Sequence, residues 1–365
     1  VGQVAWCWNA GANSNKTYTV KVVSDSGNKY RFDDFGTSAV TLDLAEGSTY
    51  VFDQSDSSNA GHPLRFSTTA NGTHGGGSEY TTGVTVTGTP GQAGAKTTIV
   101  VAASAPTLFY YCSVHSGMGG QANTNATAGA SNFDGTIQAT VKANPEAGFS
   151  ICKWTGSNTN GYTVGHGLNA KPDFMIFKNT DAAFNWHVYH SALGATKVLR
   201  LNLTNAQLDD AGFLNDTEPT SSVFTTGSFG VWDSDKDTVG YIFSAVAGYS
   251  AFGSYEGTGA ADNFVYTGFK SRLVWLKEVD NANPWYIYDT ARNTYNTIDN
   301  ILQANASSSE STVGAGDGTN QNGLQIFSNG FAIPHTLSGT NRNGSTFIFC
   351  AWGENPLQAN NGMGR

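Results

Sequence analysis

Charge is scarce in this chain. Only 13% of its 365 residues are Asp, Glu, Lys or Arg, and the formal net charge is −9. A phosphate-backbone partner needs clustered Lys and Arg, so this balance argues against nucleic acid as a partner. Long apolar runs are missing as well. No stretch of about 18 apolar residues occurs, which excludes a membrane-spanning helix and with it membrane insertion by that route. Disorder is excluded from the opposite side, since 12% of residues are aromatic and disordered chains combine few aromatics with high charge. Cysteine is sparse, with 4 residues, too few and too scattered for a disulfide framework. Cys7, Cys152 and Cys350 each sit in an apolar run, where a buried free thiol is expected. No Gly-x-Ser-x-Gly elbow and no paired carboxylates suited to glycoside hydrolysis stand out, so no catalytic residue is assigned and the chain is read as a non-enzyme.

What the chain has in quantity is glycine, at 44 residues, with many Ser, Thr and Asn. These punctuate short aromatic and β-branched runs, the signature of an all-β protein. Residues 17–121 alternate with period two in Tyr18-Thr-Val-Lys-Val-Val23, Lys29-Tyr-Arg-Phe32, Thr49-Tyr-Val-Phe-Asp53, Thr97-Thr-Ile-Val-Val101 and Leu108-Phe-Tyr-Tyr-Cys112. Turn signals at Ser26-Gly27-Asn28, Glu46-Gly47-Ser48 and Asn71-Gly72 separate them. A small β-barrel or sandwich of about eight strands follows. Residues 122–147 show little periodicity and read as a linker. Residues 148–365 return to strands.

That last zone repeats itself. Phe174-Met-Ile-Phe-Lys178, Trp186 and Tyr189 are matched by Leu273-Val-Trp-Leu-Lys277, Trp285 and Tyr288, each 99 residues later. Tyr241-Ile-Phe-Ser-Ala245 is echoed by Phe347-Ile-Phe-Cys-Ala351. A larger β-sandwich built from two repeats, 148–250 and 251–365, is therefore expected. The opening Val4-Ala-Trp-Cys-Trp8 resembles the last of these strands. Residues 1–16 are accordingly expected to be the final strand of a preceding β-module, paired in the assembled protein because an unpaired apolar strand invites aggregation.

One constellation carries chemistry. His62 stands in Gly61-His-Pro-Leu-Arg-Phe66, at the head of a strand-like run, and Cys112-Ser-Val-His115-Ser-Gly-Met118 follows another. One thiolate, two imidazoles and a thioether, in the order His…Cys-x2-His-x2-Met, form the ligand set of a type 1 copper centre. Copper is thus the candidate cofactor, held by His62, Cys112, His115 and Met118. His74, in a Gly-rich loop, reads as a solvent-facing histidine and not a fifth ligand. In the repeat, Trp186, Tyr189, Trp285 and Tyr288 are candidates for stacking on sugars, set against their being repeated core. His187 and His190 fall on opposite faces of one strand and so do not share a metal.

Residues 17–121, through the ligand order and the strand pattern, resemble a cupredoxin-type domain. The stretches Phe52–Ser67, Gly72–Tyr80 and Tyr111–Met118 are similar to modules of virion structural proteins of marine tailed phages. Residues 148–365 are similar to a lectin-like, concanavalin-type sandwich of the same proteins, through Gly148-Phe-Ser-Ile151, Thr163-Val-Gly-His-Gly-Leu168, Phe252-Gly-Ser-Tyr-Glu-Gly-Thr-Gly259 and Tyr288-Asp-Thr-Ala-Arg-Asn293. The resemblance implies a tail-fibre or surface-appendage protein on the virion surface, involved in host attachment. Its implied partners are copies of itself (a trimer among the possible forms), other virion proteins and host surface glycans. Two alternatives stand beside it: a secreted or surface blue-copper electron-transfer protein, and a carbohydrate-binding or carbohydrate-active sandwich.

Overall fold

In the computed structural model the chain is all-β, and residues 3–124, 129–157, 159–312, 323–334, 336 and 338–353 are described. They divide into two compact units. The first takes the residues up to 144 together with 150–154 and 162–167, and the second takes the remainder.

Nine strands build the larger part of the first unit: β1 Lys16–Ser24, β2 Asn28–Phe32, β3 Leu42–Asp43, β4 Thr49–Asp53, β5 Leu64–Ser67, β6 Val84–Thr87, β7 Lys96–Val100, β8 Leu108–Cys112 and β9 Gly120–Asn123. They form two open sheets, β2-β1-β4-β7-β6 and β3-β9-β8-β5, and so a sandwich instead of a closed barrel. The alternation seen in the sequence is the reason. Tyr18, Val20, Tyr30, Phe32, Tyr50 and Phe52 all turn inward from the first sheet, and Leu64, Phe66, Leu108, Tyr110 and Cys112 join them from the second. Ring contacts bind the two layers, Phe32 to Tyr110 at 5.2 Å and Phe52 to Phe66 at 5.4 Å, both edge-to-face.

Two boundaries differ from the sequence reading. The described residues of 122–147 are folded and do not read as a linker: Ala130–Asn132 and Ala139–Asn144 pair antiparallel. Phe133 stacks on Phe32 at 6.2 Å, and the Tyr18 hydroxyl donates to the Ser131 carbonyl at 2.9 Å. Small side chains hide the strand period there, and one aromatic anchors the segment to the core. The strand expected at Val4–Trp8 is also not formed, since no strand occurs among residues 3–15. With no sheet beneath it Cys7 is exposed, whereas Cys152 and Cys350 are buried as expected. Burial pushes the Cys152 thiol up to about 12.

In the second unit the repeat is realised strand for strand. Phe174–Asn179 pairs with His187–His190, and Ser271–Glu278 with Trp285–Asp289. The registers correspond: Phe174 faces His190, and Leu273, 99 residues on, faces Asp289. On the other side of each hairpin lies the echoed strand, Asp237–Phe243 or Thr346–Gly353. Phe174 stacks on Phe252 and meets Trp275 edge-on at 6.2 Å, while Phe243 meets Trp352 at 5.6 Å. The two halves therefore share an aromatic core. No helix among the described residues is long and apolar enough to cross a membrane.

Candidate metal centre

Leu64 on β5 faces Cys112 on β8. That register puts Cys112 at the end of its strand and His62 just outside the start of the partner strand. The turn after Cys112 then folds back. The His115 amide donates to Cys112 Sγ at 3.3 Å. His62 Nδ1 lies 3.9 Å and His115 Nδ1 3.8 Å from the sulfur. The three ligand atoms lie within 4.8 Å of one another, with His62 half-buried, Cys112 buried and His115 exposed.

These distances fit a metal. With bonds of about 2.3 Å to sulfur and about 2.0 Å to nitrogen, a sulfur–nitrogen separation near 3.9 Å corresponds to an angle of roughly 130°, nearer trigonal than tetrahedral. One thiolate with two imidazoles in that arrangement, followed by a methionine, suits copper more than the harder divalent ions. Met118 is buried in the same core cluster as Cys112. Its carbonyl accepts from the Tyr30 amide at 3.0 Å.

Side chains from three other segments hold the ligands in place. The Tyr30 hydroxyl and the Gln54 amide both donate to the His62 carbonyl at 2.9 Å, and Gln54 also accepts from Leu64 N. The loop carrying His115 and Met118 is held by Asn71, which donates to Ser116 Oγ and accepts from Gly117 N, both at 2.8 Å. Lys29 donates to the Gly117 carbonyl. Burial, then the neighbouring His115, lowers the pKa of His62, which favours the neutral imidazole a metal needs. His74 is exposed, and its Nε2 lies 3.0 Å from the Cys112 carbonyl, outside the ligand cluster. None of Tyr30, Gln54, Asn71 or Lys29 is signalled by the sequence. The Asn71-Gly72 turn signal alone marks a place where the chain must bend.

A family model described as a domain of unknown function, DUF7483, matches residues 122–356. The chain belongs to the DUF7483 family. All four proposed ligands precede the matched region. No curated protein and no solved structure matches the chain.

Within the DUF7483 region the four aromatics proposed for sugar stacking do not make a surface. Tyr189, Trp285 and Tyr288 are each at most 1% exposed. Tyr189 donates its hydroxyl to Glu218 at 2.8 Å, and the Trp285 indole donates to the Arg200 carbonyl at 3.0 Å. Only Trp186 is half-exposed. Register explains the tyrosines: Tyr189 and Tyr288 are equivalent strand positions and are both buried, whereas Trp186 precedes the strand His187–His190 and is not held by its pairing. His187 and His190 are both buried. His187 packs on Phe229 at 5.2 Å, and His190 lies 3.1 Å from the Phe349 carbonyl.

Proposed function

We propose that this chain is a virion structural protein of a tailed phage, of tail-fibre or surface-appendage type, whose first module binds one copper ion. The observation that carries the copper part is the convergence of Cys112 Sγ with the Nδ1 atoms of His62 and His115. Cys112 would supply the thiolate ligand, His62 and His115 the imidazole ligands and Met118 a thioether. A bound copper would supply one-electron chemistry, and the Tyr30, Gln54 and Asn71 contacts would keep the ligand geometry fixed in either oxidation state. The appendage part is supported by the low charge, the tandem β-modules and the resemblance to phage virion modules. Its partners are copies of the chain, neighbouring virion proteins and host surface glycans.

Two measurements test the two parts separately. Elemental analysis after exposure to copper(II) and removal of excess should give one copper per chain, and near none in Cys112→Ser. A wild-type chain without copper contradicts the metal assignment. Antibodies raised against the chain should label intact particles in electron micrographs. Unlabelled particles, with a protein that stays monomeric, contradict the appendage assignment.

A second reading, electron transfer, is favoured by one observation. His115 is exposed, beside Val114 at 56% exposure, so the centre has an edge that a redox partner can approach. Rapid electron exchange with a soluble partner would promote that reading over the structural one.

A further inference from the structure

We infer that the second repeat carries a pocket for a single neutral sugar residue. The inference rests on the host-attachment reading only for where that sugar comes from, a cell-surface glycan. The pocket encloses about 290 Å³. That lies at the small end of the roughly 300–1,000 Å³ typical of small-molecule sites, room for one ring and not for a chain of them.

The register of two strands builds its floor and wall. Tyr286 faces Gln303 and Tyr288 faces Ile301, between Trp285–Asp289 and Asn300–Gln303. All four side chains lie on one sheet face, with Tyr288 and Ile301 buried in the core and Tyr286 and Gln303 half-buried. The segment Ser338–Thr340 and Asn283 complete the lining, and no charged side chain lines it among the described residues.

The polar groups here are neutral and ordered. The buried Glu278 carboxylate accepts from Asn283 Nδ2, from Asn281 Nδ2 and, at 2.9 Å, from Arg342 Nε. With its nitrogen so engaged, the Asn283 amide has its oxygen left as an acceptor. An aromatic ring with a hydroxyl, a primary amide and a fixed amide oxygen, without a charge, is the chemistry that recognises a pyranose. The ring takes its C–H face and the amides take its hydroxyl pairs.

In the first repeat the equivalent position is packed differently. Tyr286 falls 99 residues after His187. At His187 the corresponding space is filled by the rings of Phe213 and Phe229, at 6.0 and 5.2 Å. At Tyr286 it is bordered by Gly339, where a Cβ would come within 2.6 Å of the Tyr286 hydroxyl oxygen. Gly339 does not adopt a left-handed φ, so its lack of a side chain is needed for space and not for backbone shape.

The test is saturation-transfer NMR on the full chain with the methyl glycosides of glucose, galactose, mannose and N-acetylglucosamine. At least one should receive saturation from the wild-type protein. The signal should be lost in Gly339→Ala and in Gln303→Ala, with the circular dichroism of the folded wild type retained in both. No transfer to any of the four sugars overturns the inference, and so does transfer that persists undiminished in both variants. Particle labelling is independent of this result, so a failed pocket and a failed appendage assignment are distinguishable.

Discussion

Asn71 adopts a left-handed backbone with φ 62° and directs both ends of its amide at the loop that carries His115 and Met118. Side chains that orient metal ligands typically account for about 10–100-fold in metal affinity. Asn71→Ala should therefore weaken copper binding by about that factor in a competition titration, while leaving the first unit folded. Unchanged affinity would show that the loop holds its shape without Asn71. The next residue, Gly72, has φ +57°, and a Cβ there would lie 2.4 Å from the Tyr111 ring. Strain and overpacking act together, so Gly72→Ala should cost about 2 kcal/mol or more in chemical denaturation. At this scale the candidate ligands were legible and the side chains around them were not. His62, Cys112, His115 and Met118 stand out as candidates because their identities and spacing match a coordination pattern, and the fold brings the first three together. Tyr30 and Asn71 are ordinary polar residues whose roles exist only once the fold brings them to positions 32 and 46 residues away.

At the scale of elements, the repeated hairpin is the unit that decides how its aromatics are used. Phe174–His190 and Leu273–Asp289 share a register, yet Trp285 at the start of its strand is core while its equivalent Trp186, just outside its strand, is half-exposed. Trp285→Ala should cost about 3–5 kcal/mol in denaturant titration, the usual penalty for emptying a buried aromatic site. Trp186→Ala, at a half-exposed position, should cost less than half as much. Equal costs would contradict the assignment of Trp285 to the core. The sequence revealed the repeat through its period, but a period of identities does not say which face is wet. The same limit applies to residues 130–144. Ala, Ser and Thr carry no visible alternation, and the segment's place in the fold depends on one ring, Phe133, meeting Phe32 and Tyr18.

At the scale of the whole molecule, two buried histidines set an acid limit on stability. Burial lowers both His187 and His190 to about 4. Their unfolded counterparts titrate near 6.5. Between those values the unfolded chain binds more protons than the folded one, so stability falls as pH drops from about 6.5 towards 4. Each histidine contributes up to about 1.4 kcal/mol per pH unit across that window. Urea midpoints measured from pH 7 down to pH 5 should decline, and less steeply in His190→Gln. A flat profile would mean that these imidazoles reach solvent before unfolding.

We propose that strand register in the first module builds a copper site. It is tested most directly by the absorption spectrum of the full chain with one equivalent of copper(II). The wild type should show an intense visible band from thiolate-to-copper charge transfer, and Cys112→Ser should lack it. A colourless wild-type protein, or a band that survives loss of Cys112, would contradict it.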